Sequence, residues 1–261
     1  MSLVDPKHHK NSPWYNLIHQ HILAGLQQAA VVFYTTHEVR RQIETYQVVS
    51  CERLVQVPLG VAPEFQERSP GVSDQSQTVL KRLGETRFLL MVGGSTQRKR
   101  LDVVLEVLRE VRNRFPEIKL VRVGRKPDDW KESHLQQIKA GQLEDSIMYF
   151  HNLDRETLAE LYRRSDVVMV ASEAEGFGLP VIEALACGAV VVASDIPVLR
   201  EVGGSGAVFC AVGDVHIWAE KIMQILSDPS AVPPKEIRID QVKKYSWKNH
   251  VDIIANTYAN L

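Results

Sequence analysis

Residues 166–171, Asp166-Val167-Val168-Met169-Val170-Ala171, are a short apolar run rich in β-branched side chains that passes straight into a glycine turn and then into an apolar helix. A run of this kind reads as a strand buried on both faces, and such strands belong to parallel sheets covered by helices on either side. The turn is Ser172-Glu173-Ala174-Glu175-Gly176-Phe177-Gly178-Leu179-Pro180. Two glycines bracket Phe177 and let the backbone approach a ligand without a Cβ in the way, and Pro180 suits the opening of a helix. The first amides of that helix lack intrahelical partners and carry the positive end of its dipole, so strand, turn and helix start together form a site for a phosphate. Gly188 is expected to stop the helix. Glu175 and Glu183 stand in the turn and the first turns of the helix, where both can point into one crevice; such a pair suits a polyol, although a glutamate at a helix start also offsets the dipole on its own.

From residue 87 onward strand and helix signals alternate. Strands are expected at 88–92, 119–123, 147–150, 167–170, 189–193 and 207–210, with helices near 99–115, 129–140, 155–164, 180–187 and 214–226. That order predicts an α/β fold, a Rossmann-like doubly wound parallel sheet with helices on both faces. On the helix from Asp214, the residues Val215, Trp218, Ala219, Ile222 and Ile225 share a core-facing stripe. Ligands of open parallel sheets bind beyond the carboxyl ends of the strands, where strand order reverses. The loop Val92-Gly93-Gly94-Ser95-Thr96-Gln97-Arg98-Lys99 falls at such a place. Its glycines permit close approach of a diphosphate, and Lys99 supplies a compact positive charge to it.

Upstream, residues 1–12 read as a disordered or appended tail, in which His8 and His9 have no further ligands near them. Leu17, Ile18, Ile22 and Leu26 fall on one helical stripe, residues 31–34 read as a strand, Thr36 as the N-cap of a helix through Tyr46, and 53–58 as a second strand. Residues 63–86, with Pro63, Pro70, Gly71 and several Ser, Gln and Asp, have the composition of a linker. Residues 228–240 are polar and contain proline, and a last helix from Ser246 is expected to bury Trp247, Val251, Ile254 and Tyr258.

Composition narrows the partners. The formal net charge is -1 with both signs interspersed, which leaves no footprint for nucleic acid. No apolar run reaches the ~18 residues of a membrane span, and there is no signal-peptide core at the N-terminus. The three cysteines, Cys51, Cys187 and Cys210, lack metal or redox spacing, which suits a reducing compartment. The expectation is a cytoplasmic protein, free or peripheral at the membrane. No Asp-x-Asp occurs, and Asp128-Asp129 reads as a solvated helix start, so no obligatory metal or other cofactor is expected.

The stretch 172–184 resembles the donor-site motif of retaining glycosyltransferases of the GT-B fold in family four, Ser-x-x-Glu-Gly-Phe-Gly-Leu-Pro-x-x-Glu-Ala, at every fixed position. Residues 190–197 and Glu201-Val202-Gly203 also fit, and the resemblance extends over roughly residues 29–261. It implies a group 1 transferase that moves a sugar from a nucleotide diphosphate, UDP-, GDP- or ADP-linked, to a glycan, lipid or small-molecule acceptor with retention at the anomeric carbon. The implied roles are specific. Gly93, Gly94, Arg98, Lys99, Gly176, Phe177, Gly178 and Leu179 hold the donor diphosphate, and Glu183 accepts from the ribose hydroxyls. Gly124, Arg125, Asn152 and Leu153 meet the base, while Glu175 bonds the transferred sugar and acts with Lys99 in catalysis. The sequence departs from the family at Gly94, where an arginine is usual, leaving Arg98 or Arg100 as replacement cations; at His151, where glycine is usual; and at Leu59 and Ala62 in 57–62. A nicotinamide-binding reading requires Gly-x-Gly-x-x-Gly after the first strand, which Gly93-Gly94 with Lys99 does not meet.

The resemblance divides the chain into an acceptor-side segment (13–62), the linker (63–86), a donor-binding domain (87–240) and a C-terminal helix (241–261) returning to the first segment. Only the last strand-helix-strand of the acceptor-side domain is matched. The expectation is therefore a fragment or a short form whose open face is covered by a homo-oligomer or by a separate N-terminal domain, and the alternative function is a nucleotide-sugar-binding or assembly module without transfer of its own.

Overall fold

Alternation of apolar side chains along the strands decides the layering. The computed structural model describes residues 13–68, 71, 73–94, 96–124 and 132–261. Its main sheet has six parallel strands: β3 (Phe88–Val92), β4 (Lys119–Val123), β5 (Ile147–Phe150), β6 (Val167–Val170), β7 (Val191–Ser194) and β8 (Val208–Cys210), in the order β5-β4-β3-β6-β7-β8. On β3, Phe88 and Leu90 face one layer and Leu89 and Met91 the other; Val168 and Val170 of β6 are likewise opposed to Val167 and Met169. Both layers are helical. One holds α4 (Leu101–Arg112), α5 (Glu132–Ala140) and α9 (Val215–Ser227), closed by the fully buried Trp218. The other holds α3 (Asp74–Leu83), α6 (Arg155–Arg164), α7 (Leu179–Ala186), α8 (Pro197–Gly203) and α10 (Lys235–Val242). The doubly wound sheet is as expected. Strand order reverses between β3 and β6, so the loops that follow these two strands face each other across the crevice.

A second, two-stranded parallel sheet pairs β1 (Val32–Tyr34) with β2 (Leu54–Gln56), flanked by α1 (Pro13–Gln28) and α2 (His37–Thr45) around a small core of Val32, Tyr34, Ile43, Val48 and Val49. The last helix, α11 (Trp247–Ala259), lies against it: Val61 bridges to Ser246, the His250 ring bonds the Pro58 carbonyl at 2.9 Å, and Phe33 meets Tyr258 edge-on.

Several expectations change. The stripe proposed for α11 is not buried: Val251 is 59% and Tyr258 62% exposed, Trp247 is also exposed, and the half-buried face is made by His250, Ile253, Ile254 and Thr257. A two-stranded sheet is too narrow to cover both sides of the helix. On α1, Leu17, Ile18 and Ile22 are exposed for the same reason, and Leu23 and Leu26 make the contact. Residues 63–86 contain α3, whose N-cap Ser73 accepts from the Ser76 amide and whose Ser76, Val79 and Leu83 are buried. Helices α8 and α10 occupy 197–203 and 235–242, where no helix is expected from pattern alone. The readings made for 1–12, Ser95, Arg125 and Asp128-Asp129 lie outside the described residues. Among those described, no helix is long and apolar enough to cross a membrane.

Candidate functional site

The turn after β6 is set by Gly178. It is the N-cap of α7 at φ 97°, and a Cβ there would lie 2.9 Å from the buried Leu199 side chain, so both backbone and space demand glycine. Pro180 falls in the first turn of α7, at its second residue. The helix ends in a Schellman motif, with Gly188 at φ 73° and amide bonds from Gly188 to Leu185 and from Ala189 to Ala184. The Phe177 ring points inward and packs edge-on against Tyr245. Phe177 is thus an anchor for the turn, leaving its backbone as the part that faces the crevice. Among the described residues, the amides of Phe177, Gly178 and Leu179 make no hydrogen bond, while the Gly176 carbonyl accepts from the Thr35 hydroxyl at 3.1 Å and the Thr36 hydroxyl at 3.4 Å.

Across the crevice, the loop after β3 brings Lys99 to the same place. Lys99 closes a short 3-10 turn, and Arg100 in the left-handed region separates it from α4. Its stem runs along Gly93. The loops after β3 and β4 touch, because a Cβ on Gly124 would fall 2.1 Å from the Gly93 carbonyl oxygen. A Cβ on Gly94 would meet nothing within 4 Å among the described residues.

Glu175 joins the two loops. Lys99 Nζ bonds one carboxylate oxygen, and Arg98 Nη1 bonds the other and the Ala174 carbonyl, both at 2.9 Å. The Glu175 side chain is 7% and that of Lys99 12% exposed. Burial pushes the Glu175 carboxyl upward, but the Lys99 charge and hydrogen bond, with Ser172 and Arg98, outweigh it and hold the group below its ordinary value. Of the two candidate replacements for the missing arginine, Arg98 lies in the site. Arg100 is turned toward Asp102 and Glu173.

Glu183 is carried by α7. Its Oε2 accepts from the Tyr162 hydroxyl at 3.0 Å, and burial raises its carboxyl above the ordinary value despite the opposing pull of Tyr162 and Arg155. It shares no contact with Glu175 among the described residues. At the expected base end, Asn152 is exposed at φ 52° with its carbonyl held by Gln75, Leu153 is half-buried, and His151 is exposed.

A cleft of about 610 Å³ opens beside Glu175. One wall is Gln97, Arg98, Glu173, Ala174 and Glu175 with the start of α8; the other is Glu38 and Gln42 of α2. Sequence reasoning missed what aligns these walls. Glu201 on α8 accepts from the His37 amide at 2.8 Å, which is the first residue of α2, and from Gln56 at 3.2 Å. With Thr35 and Thr36 on Gly176, these bonds tie the small sheet to the turn. Thr36 was legible as an N-cap, but no local pattern signals a partner 140 residues away.

Comparison with known proteins identifies the family and the fold. The family model described as Glycosyl transferases group 1 matches residues 73–245. The O-antigen chain mannosyltransferase B of Escherichia coli is 30% identical over 215 residues, 79% of this chain and 54% of the relative. The D-inositol 3-phosphate glycosyltransferase of Corynebacterium jeikeium is 27% identical over 236 residues, 87% of this chain and 56% of the relative. The chain thus spans just over half the length of these two relatives. In solved structures, the sucrose-phosphate synthase of Thermosynechococcus elongatus superposes with a TM-score of 0.76 at 22% identity, over 99% of this chain and 66% of the other. The Anabaena HepE protein, crystallised with UDP and glucose, superposes with a TM-score of 0.80 at 18% identity, over 99% and 70%. The fold is that of GT-B glycosyltransferases.

Proposed function

The chain belongs to the Glycosyl transferases group 1 family, and on that premise we propose that it transfers a sugar from a nucleotide diphosphate to an acceptor with retention at the anomeric carbon, as in family four. The observation that carries the reading is the convergence of Lys99 and Arg98 on Glu175 at the strand-order reversal, in the turn that also carries the unbonded amides of 177–179.

The diphosphate of the donor lies between Lys99 and those amides, beside Gly93 and Gly94, with Arg98 standing in for the arginine that Gly94 replaces. Negative charge grows on the diphosphate as the bond from C1 to oxygen breaks, so preorganised amides and an ammonium stabilise the transition state more than the ground state. They provide the positive charge that an obligatory metal supplies elsewhere, and no cofactor is needed. Glu175, at the edge of the cleft, takes a hydroxyl of the transferred sugar. Glu183 takes the ribose hydroxyls, exchanging its Tyr162 bond for them, and Gly124, Arg125, Asn152 and Leu153 line the base. The donor side is residues 87–240 and the acceptor side begins with 13–62; 63–86 joins them, and 241–261 returns to the first segment. The acceptor enters between α2 and the 172–179 turn. The relatives include mannosyltransferases and a HepE structure containing UDP and glucose, so mannose and glucose donors are the first to test.

A second reading has its own support. That reading is a nucleotide-sugar-binding module whose transfer requires further acceptor-side structure; the chain spans just over half of the two relatives compared. The two are separated by incubating the protein, with chelator present, with UDP-, GDP- and ADP-linked glucose or mannose and a range of glycan acceptors. Release of nucleoside diphosphate with an α-linked product from an α-linked donor supports retaining transfer. An inverted product contradicts it, and tight donor binding without turnover favours the module.

A further inference from the structure

Resting on the donor site proposed above, we propose that Glu175 discriminates the sugar-bearing donor from the bare nucleoside diphosphate by competing with the phosphates for Lys99. The geometry contains that competition. Lys99 is the cation placed for the diphosphate, yet its ammonium is bonded to Glu175 Oε1, and the neighbouring Arg98 is bonded to Oε2. An incoming phosphate oxygen therefore competes with the carboxylate for that ammonium and its charge.

The consequence depends on what the phosphate carries. With Lys99 drawn to the phosphate, the Glu175 carboxylate remains 7% exposed, with Arg98 and Ser172 as its remaining supports among the described residues. A buried charge that loses a partner is strongly disfavoured. A donor sugar brings hydroxyls to the wall of the cleft that Glu175 lines, and these refill its coordination. A bare diphosphate brings none, and it adds its own negative charge beside the carboxylate. Glu175 thus weakens the product more than the donor, which favours release of the spent nucleotide after transfer. No covalent step is involved; the exchange is of hydrogen bonds at one ammonium.

Glu173 provides the control. It lines the same cleft but interacts with Arg100 at 3.7 Å and makes no bond to Lys99. The test is titration calorimetry of the whole chain with UDP, GDP and ADP and with their glucose and mannose conjugates. It compares wild type, Glu175→Gln and Glu173→Gln, with circular dichroism confirming that each is folded and Glu175→Asp as a milder variant. A charge-assisted bond removed from competition is worth roughly tenfold or more in affinity. Glu175→Gln is expected to tighten the bare diphosphate by about that factor and to change the donor by far less, so that the ratio of donor to product affinity collapses; Glu175→Asp falls between, and Glu173→Gln leaves the ratio within about twofold. An unchanged or weakened bare diphosphate in Glu175→Gln, against a wild type that binds both, overturns the inference while leaving the donor site intact. An equal gain in Glu173→Gln also overturns it, since general charge would then suffice. Absence of any binding by folded wild type removes the donor site itself.

Discussion

Lys99→Ala separates the structural and the catalytic work of one side chain. The substitution removes the ammonium from Glu175 Oε1 and leaves Oε2 with Arg98 at 2.9 Å. Deleting one partner of a buried ion pair costs ~3–5 kcal/mol, and the retained Arg98 bond places this case just below that range, about 2–3 kcal/mol. With a urea slope near ~2.5 kcal/mol/M for a chain of this size, the midpoint falls by about 1 M. The loss depends on pH. Wild-type Glu175 is held below its ordinary value of 4.5, so its contribution is fully present above that pH and disappears as pH falls through the depressed folded-state value. In Lys99→Ala burial opposes only Ser172 and Arg98, the carboxyl rises, and most of that contribution is gone. Urea unfolding of both proteins from neutral pH to below 4.5 is the assay. The gap between them is widest at neutral pH and narrows in acid. A gap under about 0.5 kcal/mol at neutral pH, or one that does not change with pH, refutes the reasoning. If donor transfer is observed, the same variant loses about 100- to 1000-fold in rate.

Other positions report on the frame around the site. Gly178→Ala imposes a Cβ at φ 97° and a 2.9 Å approach to Leu199, and the strain together with overpacking lowers stability by about 2–4 kcal/mol in denaturant unfolding. Thr36→Val deletes the cap of α2 and one of the two hydroxyl bonds to Gly176; it costs about 1–2 kcal/mol, and hydrogen exchange quickens in both 36–40 and the 176–179 turn. Tyr162→Phe leaves the half-buried Glu183 carboxylate without its hydroxyl donor and costs about 1–3 kcal/mol at neutral pH, measurable by the same unfolding assay.

What could be read from the sequence follows the range of the interactions involved. Strands β3, β4, β5 and β6 have the expected ends because each is a short stretch dominated by apolar residues, interrupted in β4 by Lys119 and Arg122, and α6 spans its expected range with Asp154 as its N-cap. The glycine turn and the Lys99 loop could be located in the sequence because clustered glycines and a helix start leave local marks. Helix α3 was obscured by its composition: Ser73, Asp74, Gln75, Ser76 and Gln77 read as linker, although Val79 and Leu83 mark the buried face. The α11 stripe misled for the opposite reason. Periodicity shows which residues share a face, and whether that face is covered depends on how much sheet lies beneath it. The pairing of Lys99 with Glu175 spans 76 residues and that of Glu201 with His37 spans 164; neither has a local signature. For the same reason the packing of the Phe177 ring on Tyr245 became visible only in three dimensions.

The central claim is that the crevice between the β3 and β6 loops holds a nucleotide-diphosphate sugar. Titration calorimetry of the folded chain with UDP, GDP and ADP and their glucose and mannose conjugates, repeated on Lys99→Ala and Glu183→Ala, tests it most directly. The account predicts binding selective for one base, weakened in both variants. Equal affinity in wild type and both variants, or no binding to folded wild type, contradicts it.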